Sequence, residues 1–191
     1  MEDKALIKKI LNGDRSAIRF LLEKHQNLVW HIIISMTGHK SDAEDLFQEV
    51  FLRVFRGLKN FRAESSLSTW VGSITHHVCV DYLRNRKKEA GFLSLDEDLK
   101  LAAKLPSDTS WKQAENRDLN TLILTTIAKL PADYRTAITL YHLDEKSYEE
   151  IAEITGMPMG TVKSHISRGR DLLRKLLISN VPDLTAILDN F

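Results

Sequence analysis

Apolar residues recur at helical spacing over most of this chain, and the alternating apolar–polar runs that mark β-strands are absent. The pattern predicts a succession of helices. Early ones fall at Lys4–Asn12, Arg15–Lys24 and Gln26–Thr37, divided by Gly13-Asp14 and by His25. Gly38-His39-Lys40 breaks the chain before a helix from Asp42 to about Leu58, and a loop, Lys59–Ser66, leads into a long helix from Leu67 to Lys87. From Glu89 to Arg117 the periodicity dissolves around Gly91, Pro106 and the polar Ser107–Ser110, which reads as an interdomain linker. Helices resume at Leu119–Lys129, Pro131–Tyr141, Ser147–Thr155 and Pro158–Leu177, and one more short helix is expected after Pro182. The expected fold is all-α. Two small helical domains, residues 1–88 and 118–179, are joined by a flexible linker, 89–117, and followed by a tail, 180–191.

A hydrophobic content of 43% over 191 residues is enough to bury real cores, so global disorder is not expected. The formal net charge of +1 conceals a sorted distribution. Basic residues outnumber acidic ones up to Gly91. Further on, Asp144, Glu145, Glu149, Glu150 and Glu153 form an acidic cluster, followed by Lys163, Arg168, Arg170, Arg174 and Lys175. A polyanionic partner needs local basic stripes rather than a basic total. The single Cys79 excludes an internal disulfide and fits a reducing compartment. The start lacks the basic-then-apolar pattern of a signal peptide, and no apolar run approaches the ~20 residues that span a bilayer. A cytoplasmic protein with no membrane insertion is therefore expected.

The most specific motif runs from Ser147 to Arg168. Ser147 and Glu150 have the spacing of a capping box, which starts a helix. Gly156 supplies a turn conformation that side chains resist, and Pro158 suits the first turn of the next helix. On that helix Val162, Ile166, Gly169, Leu173 and Leu176 share one face, while Thr161, Ser164, Ser167, Arg168, Asp171 and Lys175 fall opposite, flanked by Lys163 and Arg174. An apolar back with hydroxyls and cations in front suits a helix-turn-helix whose second helix enters the major groove. Gly160 leaves room for close backbone approach.

The N-terminal half adds two further faces. Ser41 and Glu44 repeat the capping-box spacing ahead of a helix whose core side is Ala43, Phe47, Val50, Phe51, Val54 and Leu58. Asp45, Gln48, Glu49, Leu52, Arg53 and Arg56 project from the other side. Charges there usually mean only a solvated surface, but Leu52 in their midst gives a docking patch its hydrophobic centre. In the segment Phe61–Lys88, Trp70, Ser73, His77, Arg84 and Lys88 share a stripe along an otherwise apolar helix. Rings to stack on bases and cations for phosphate suit single-stranded DNA, although Trp70 by itself reads more readily as core.

These three segments resemble, in order and spacing, the extracytoplasmic-function sigma factors of bacterial RNA polymerase, over about Ala5 to Leu177. Asp42–Phe55 is similar to their clamp-binding helix, Phe61–Lys88 with Ser-Thr-Trp and Asp-Tyr-Leu-Arg to their minus-ten segment, and Leu130–Arg174 to their minus-thirty-five domain. The resemblance implies a factor without catalysis that binds core RNA polymerase at the β′ clamp and β flap and directs promoter recognition, melting and initiation. Asp45, Gln48, Glu49 and Arg53 would contact the β′ coiled coil. Phe61, Arg62, Ser65 and Ser66 belong to a loop that would hold a flipped minus-ten base. Lys163, Ser164, Ser167 and Arg168 would face minus-thirty-five bases, with Thr161 nearer phosphate. Asp96, Glu97 and Asp98 would give the linker an RNA-like charge inside polymerase. An anti-sigma partner, often membrane-anchored in this family, is also implied. The chain departs from the family at His77, where Asn is common, and at His165, where Arg is common.

His76 and Cys79 lie one turn apart, but two ligands without a third do not make a metal site, and no metal or other cofactor is expected. No phosphate-binding loop, zinc-hydrolase helix or nucleophile elbow is present, so an enzyme is not expected. The competing reading is a stand-alone dimeric helix-turn-helix regulator, which would need a dimerisation helix and a palindromic duplex.

Overall fold

The computed structural model describes residues 3–38, 42–89 and 117–180. Most of the expected linker with Asp96, Glu97 and Asp98, the helix expected after Pro182, and Ser41 of the second capping box lie outside the described residues. The described residues form eight α-helices and one 3₁₀ turn.

Helices α1 (Asp3–Leu11) and α2 (Arg15–Thr37) are joined through Gly13, whose φ of 83° lies in the left-handed region. Asp14 caps α2: one carboxylate oxygen accepts from the backbone N–H groups of Ser16 at 2.9 Å and Ala17 at 3.2 Å. The expected division of this helix at His25 is wrong. The helix runs on because His25, only 2% exposed, shares the buried face with Leu21, Leu28 and Ile32. It ends at Gly38, in the left-handed conformation with φ 68°.

Helix α3 (Ala43–Gly57) runs into the 3₁₀ turn Leu58–Asn60, which takes up the start of the expected loop. Asp42, at its head, makes no side-chain cap bond; its carboxylate accepts from the Tyr82 hydroxyl of α4 (Leu67–Glu89) instead. Trp30, Phe47, Phe51 and Phe55 form a chain of ring contacts, with neighbouring centroids 6.1, 4.9 and 6.4 Å apart. That chain fixes which side of α3 faces inward. The Ser66 hydroxyl accepts from the Thr69 N–H at 3.0 Å, and Asp3 accepts from the Leu67 N–H at 3.2 Å, so two side chains satisfy the first turn of α4.

The second half contains α5 (Arg117–Ile127), α6 (Ala132–His142), α7 (Tyr148–Thr155) and α8 (Met159–Asn180). Helix α8 packs on α5, α6 and α7, while α6 lies against α2 and α7 against α4. Buried residues from Leu6 to Ile166 consequently belong to one continuous cluster.

Candidate polymerase and nucleic-acid interfaces

The helix-turn-helix expected at residues 147–168 is built as its caps require. The Ser147 hydroxyl accepts from the Glu150 N–H at 3.1 Å, and Glu150 returns the bond by accepting from the Ser147 N–H at 3.0 Å. Gly156 ends α7 at φ 70°. Pro158 stands one residue earlier than expected, just ahead of α8, and its carbonyl accepts the first helical bond from Val162 at 3.1 Å. Val162, Ile166 and Gly169 are buried and Leu173 and Leu176 half-buried. Opposite them Lys163, Ser167 and Arg168 are exposed, with Thr161 and Ser164 half-buried beside them. The Ser164 hydroxyl turns back to the Thr161 carbonyl at 3.2 Å. Arg170 leaves this front and lies over the Tyr141 ring, 5.7 Å from its centroid. His165 also turns inward, edge-on to Tyr134 at 5.2 Å. Its Nδ1 is buried, with no hydrogen-bond partner among the described residues.

On α3 the structure puts Asp45, Gln48, Leu52, Arg53 and Arg56 at the surface, with Glu49 partly covered. Leu52 is 49% exposed, unusual for a large apolar side chain on a helix whose opposite side is well packed. Leu46 is core, as are Val50 and Val54. Glu49 and Arg53 are tied to each other, Nε to Oε1 at 2.7 Å, and Arg53 reaches on to Asp81 of α4 at 3.3 Å. These bonds, the one to Glu49 foremost, raise the Arg53 pKa. Asp81 and Tyr82, given no role by spacing alone, both couple α4 to α3.

The stripe on α4 divides. Trp70 is half-buried, tilted against Phe61 with centroids 5.2 Å apart, and its ring edge lies 3.0 Å from where a Cβ on Gly57 would stand. Ser73 is half-buried, while His77, Arg84 and Lys88 are exposed. His77 Nδ1 donates to the Ser73 carbonyl at 2.7 Å. In the preceding loop Phe61 and Ser65 are half-buried, Arg62 and Ser66 are exposed, and Ala63 takes a φ of 57°. A non-glycine residue held in that region is a local strain of the kind that functional loops store. Cys79 is fully buried, and desolvation pushes its thiol up to about 12, which disfavours the thiolate that a nucleophile or metal ligand requires.

Comparison with known proteins places these elements. Residues 21–89 match Sigma-70 region 2, and residues 121–173 match Sigma-70, region 4. The chain is 33% identical over 178 residues to the ECF RNA polymerase sigma-E factor of Haemophilus influenzae, covering 91% of this chain and 94% of that one. It is also 33% identical over 183 residues to the ECF RNA polymerase sigma factor SigW of Bacillus subtilis, covering 91% and 96%. The chain belongs to the ECF sigma factors. It is an alternative sigma factor, directing promoter recognition and transcription initiation with core RNA polymerase, and this family is not one of catalytic enzymes. The stand-alone regulator is not favoured. Among solved structures, the sigma factor RpoE in complex with the anti-sigma factor NepR from Bartonella quintana superposes with a TM-score of 0.67 at 25% identity, covering 84% of this chain and 96% of that one. CnrH in complex with the cytosolic domain of CnrY shares the fold, with a TM-score of 0.63 at 20% identity over 93% and 97% of the two chains. No helix among the described residues is long and apolar enough to cross a membrane.

Proposed function

We propose that this sigma factor divides its work among three helices. Helix α3 docks on the β′ clamp through Asp45, Gln48, Glu49, Leu52, Arg53 and Arg56. Helix α4 and the loop before it open and read the minus-ten element through Phe61, Arg62, Ser65, Ser66, Trp70, Ser73, His77, Arg84 and Lys88. Helix α8 reads the minus-thirty-five element through Thr161, Lys163, Ser164, Ser167 and Arg168. The working units are residues 1–88 and 118–179, and the chain acts in the cytoplasm, where polymerase and promoter meet.

The observation that carries this reading is Leu52, half exposed on the outer side of α3 and ringed by charges, while the inner side of the same helix is packed by aromatic rings. A self-sufficient DNA-binding protein has no use for such a face; a subunit that must dock does. RpoE is held by the anti-sigma factor NepR in the structure that this chain resembles, and the same apolar centre suits a membrane-anchored or soluble anti-sigma partner here, at the expense of polymerase. A gel shift on promoter DNA with and without core polymerase tests the reading. Retarded promoter complexes should require polymerase. A tight, specific shift by the free chain on a palindromic duplex would overturn it.

A further inference from the structure

Between Leu67 and Lys88, helix α4 carries a single acidic residue, Asp81. His77, Asp81, Arg84 and Lys88 succeed one another at four, three and four residues. At that spacing the carboxylate stands in the middle of the stripe assigned to the minus-ten element. A negative charge among groups that meet a polyanion weakens binding to every sequence, because phosphate repels it wherever the strand lies. The Asp81 side chain is nevertheless 51% exposed.

Its surroundings show how the fold accommodates it. Arg53 of α3 donates from Nη1 to Asp81 Oδ2 at 3.3 Å, while its Nε donates to Glu49 at 2.7 Å. Asp81 Oδ1 has no partner among the described residues. A tie between helices does not account for this arrangement. Val71, Val78 and Cys79 already bury one side of α4, and the Tyr82 hydroxyl donates to Asp42 at the head of α3. An exposed ion pair adds only ~0–1 kcal/mol to such packing. Arg53 orients the carboxylate instead. With Oδ2 drawn toward α3, Oδ1 is left as a free acceptor on an exposed side chain, in line with His77 and Arg84.

We propose that Asp81 is a specificity-determining residue of the minus-ten stripe: its free carboxylate oxygen accepts from the amino group of one base, and Arg53 positions it to do so. The proposal rests on the assignment of α4 given above. Adenine, cytosine and guanine each carry an exocyclic amino group, and thymine carries none. Where cytosine and adenine present their amines, thymine presents its O4 carbonyl, so acceptor meets acceptor and neither is satisfied. The one N–H of thymine lies between two carbonyl oxygens, which repel an approaching carboxylate. Thymine is therefore the base that Asp81 rejects. Arg84 and Lys88, on the same stripe, are donors without an acceptor and cannot make this distinction. The guanidinium of Arg53 offsets the repulsion that a bare carboxylate would exert on the neighbouring phosphates.

Asp81→Asn reverses the chemistry while keeping the shape. Arg53 only donates, so it holds the amide by its oxygen and turns the NH2 group outward. Holoenzyme formed from the full chain and core polymerase is assayed for initiation on promoters carrying every single-base change in the minus-ten element. With the wild-type chain, thymine should be disfavoured about tenfold at one position, the worth of one hydrogen bond to a charged group. Asp81→Asn should abolish or invert that preference at the same position, because its NH2 donates to thymine O4, and leave the other positions ranked as before. Asp81→Ala offers neither donor nor acceptor and should level the four bases there to within about threefold. Parallel panels for wild type and Asp81→Asn, or an equal loss at every position, would overturn the proposal. A wild-type holoenzyme that ranks all minus-ten variants alike refutes the assignment of α4 itself, and the proposal falls with it.

Discussion

Ile138 Cγ1 on α6 lies 2.8 Å from the point where a Cβ on Gly169 of α8 would stand. Backbone meets side chain here with nothing between, and Ile138 is fully buried, so it has nowhere to retreat. The contact sets how closely α8 lies on α6 beneath the face that carries Lys163, Ser167 and Arg168.

Gly169→Ala should therefore destabilise the fold by about 1–3 kcal/mol, the ordinary cost of overpacking, despite the better helix propensity of Ala. Urea unfolding reads this as a lower midpoint at unchanged slope. A variant as stable as wild type would mean that α6 and α8 can slide apart freely.

On α3, Glu49→Arg should weaken binding to core polymerase by several kcal/mol if the pair formed there is desolvated. It also breaks the Glu49–Arg53 pair, but that pair is exposed, and surface pairs contribute ~0–1 kcal/mol. Circular dichroism and thermal unfolding should hardly change while core affinity, measured by anisotropy, falls. Affinity equal to wild type would remove Glu49 from the docking face.

Much of this was legible in the sequence. The helices were, because each carries a periodic apolar face. So was the helix-turn-helix, because Ser147, Glu150 and Gly156 fix both ends of α7 by local chemistry. His25 hides the continuity of α2, since a polar residue breaks the run of apolar side chains. Its spacing from Leu21, Leu28 and Ile32 was the signal that the helix continues. The outer face of α3 could be read from spacing, whereas its tie to α4 through Arg53 and Asp81 could not, because 28 residues separate the partners. The contacts of Arg135, Asp144, Lys146 and Glu150 with the first half are longer-range still. No local pattern announces them. His165 was readable in part: three residues after Val162 and four before Gly169, it borders the apolar face, and the Tyr134 ring that meets it there is distant in sequence.

Arg168 is exposed and takes no part in the core, so Arg168→Ala should leave stability within about 0.5 kcal/mol. Its cost should appear on DNA, at roughly 1–3 kcal/mol and confined to one minus-thirty-five position if the guanidinium grips a guanine in bidentate fashion. Initiation rates on a panel of single-base promoter variants measure this. A uniform loss across the panel would make Arg168 a phosphate contact instead.

The remaining prediction concerns acid. His25 is 2% exposed, its Nε2 finds no hydrogen-bond partner among the described residues, and its pKa falls from 6.5 to about 4. Desolvation is the main cause; Lys24 and Lys146 push the same way, and Asp3 opposes them. Because the folded pKa lies below the unfolded one, the unfolded chain binds the proton more readily between the two values. Stability from this group is thus fully present above about pH 6.5, is lost as pH falls toward 4, and changes no further below that. At ~1.4 kcal/mol per unit the loss approaches about 3 kcal/mol. His25→Leu removes both the proton site and the unpaired nitrogen, so its stability should fall less steeply than wild type between pH 7 and pH 5. Urea midpoints at pH 7, 6 and 5 measure the difference, and parallel curves for the two proteins would show that His25 titrates alike folded and unfolded. Lys146→Met should raise the His25 pKa in an NMR titration, since the ammonium that opposes protonation comes from the other half of the chain.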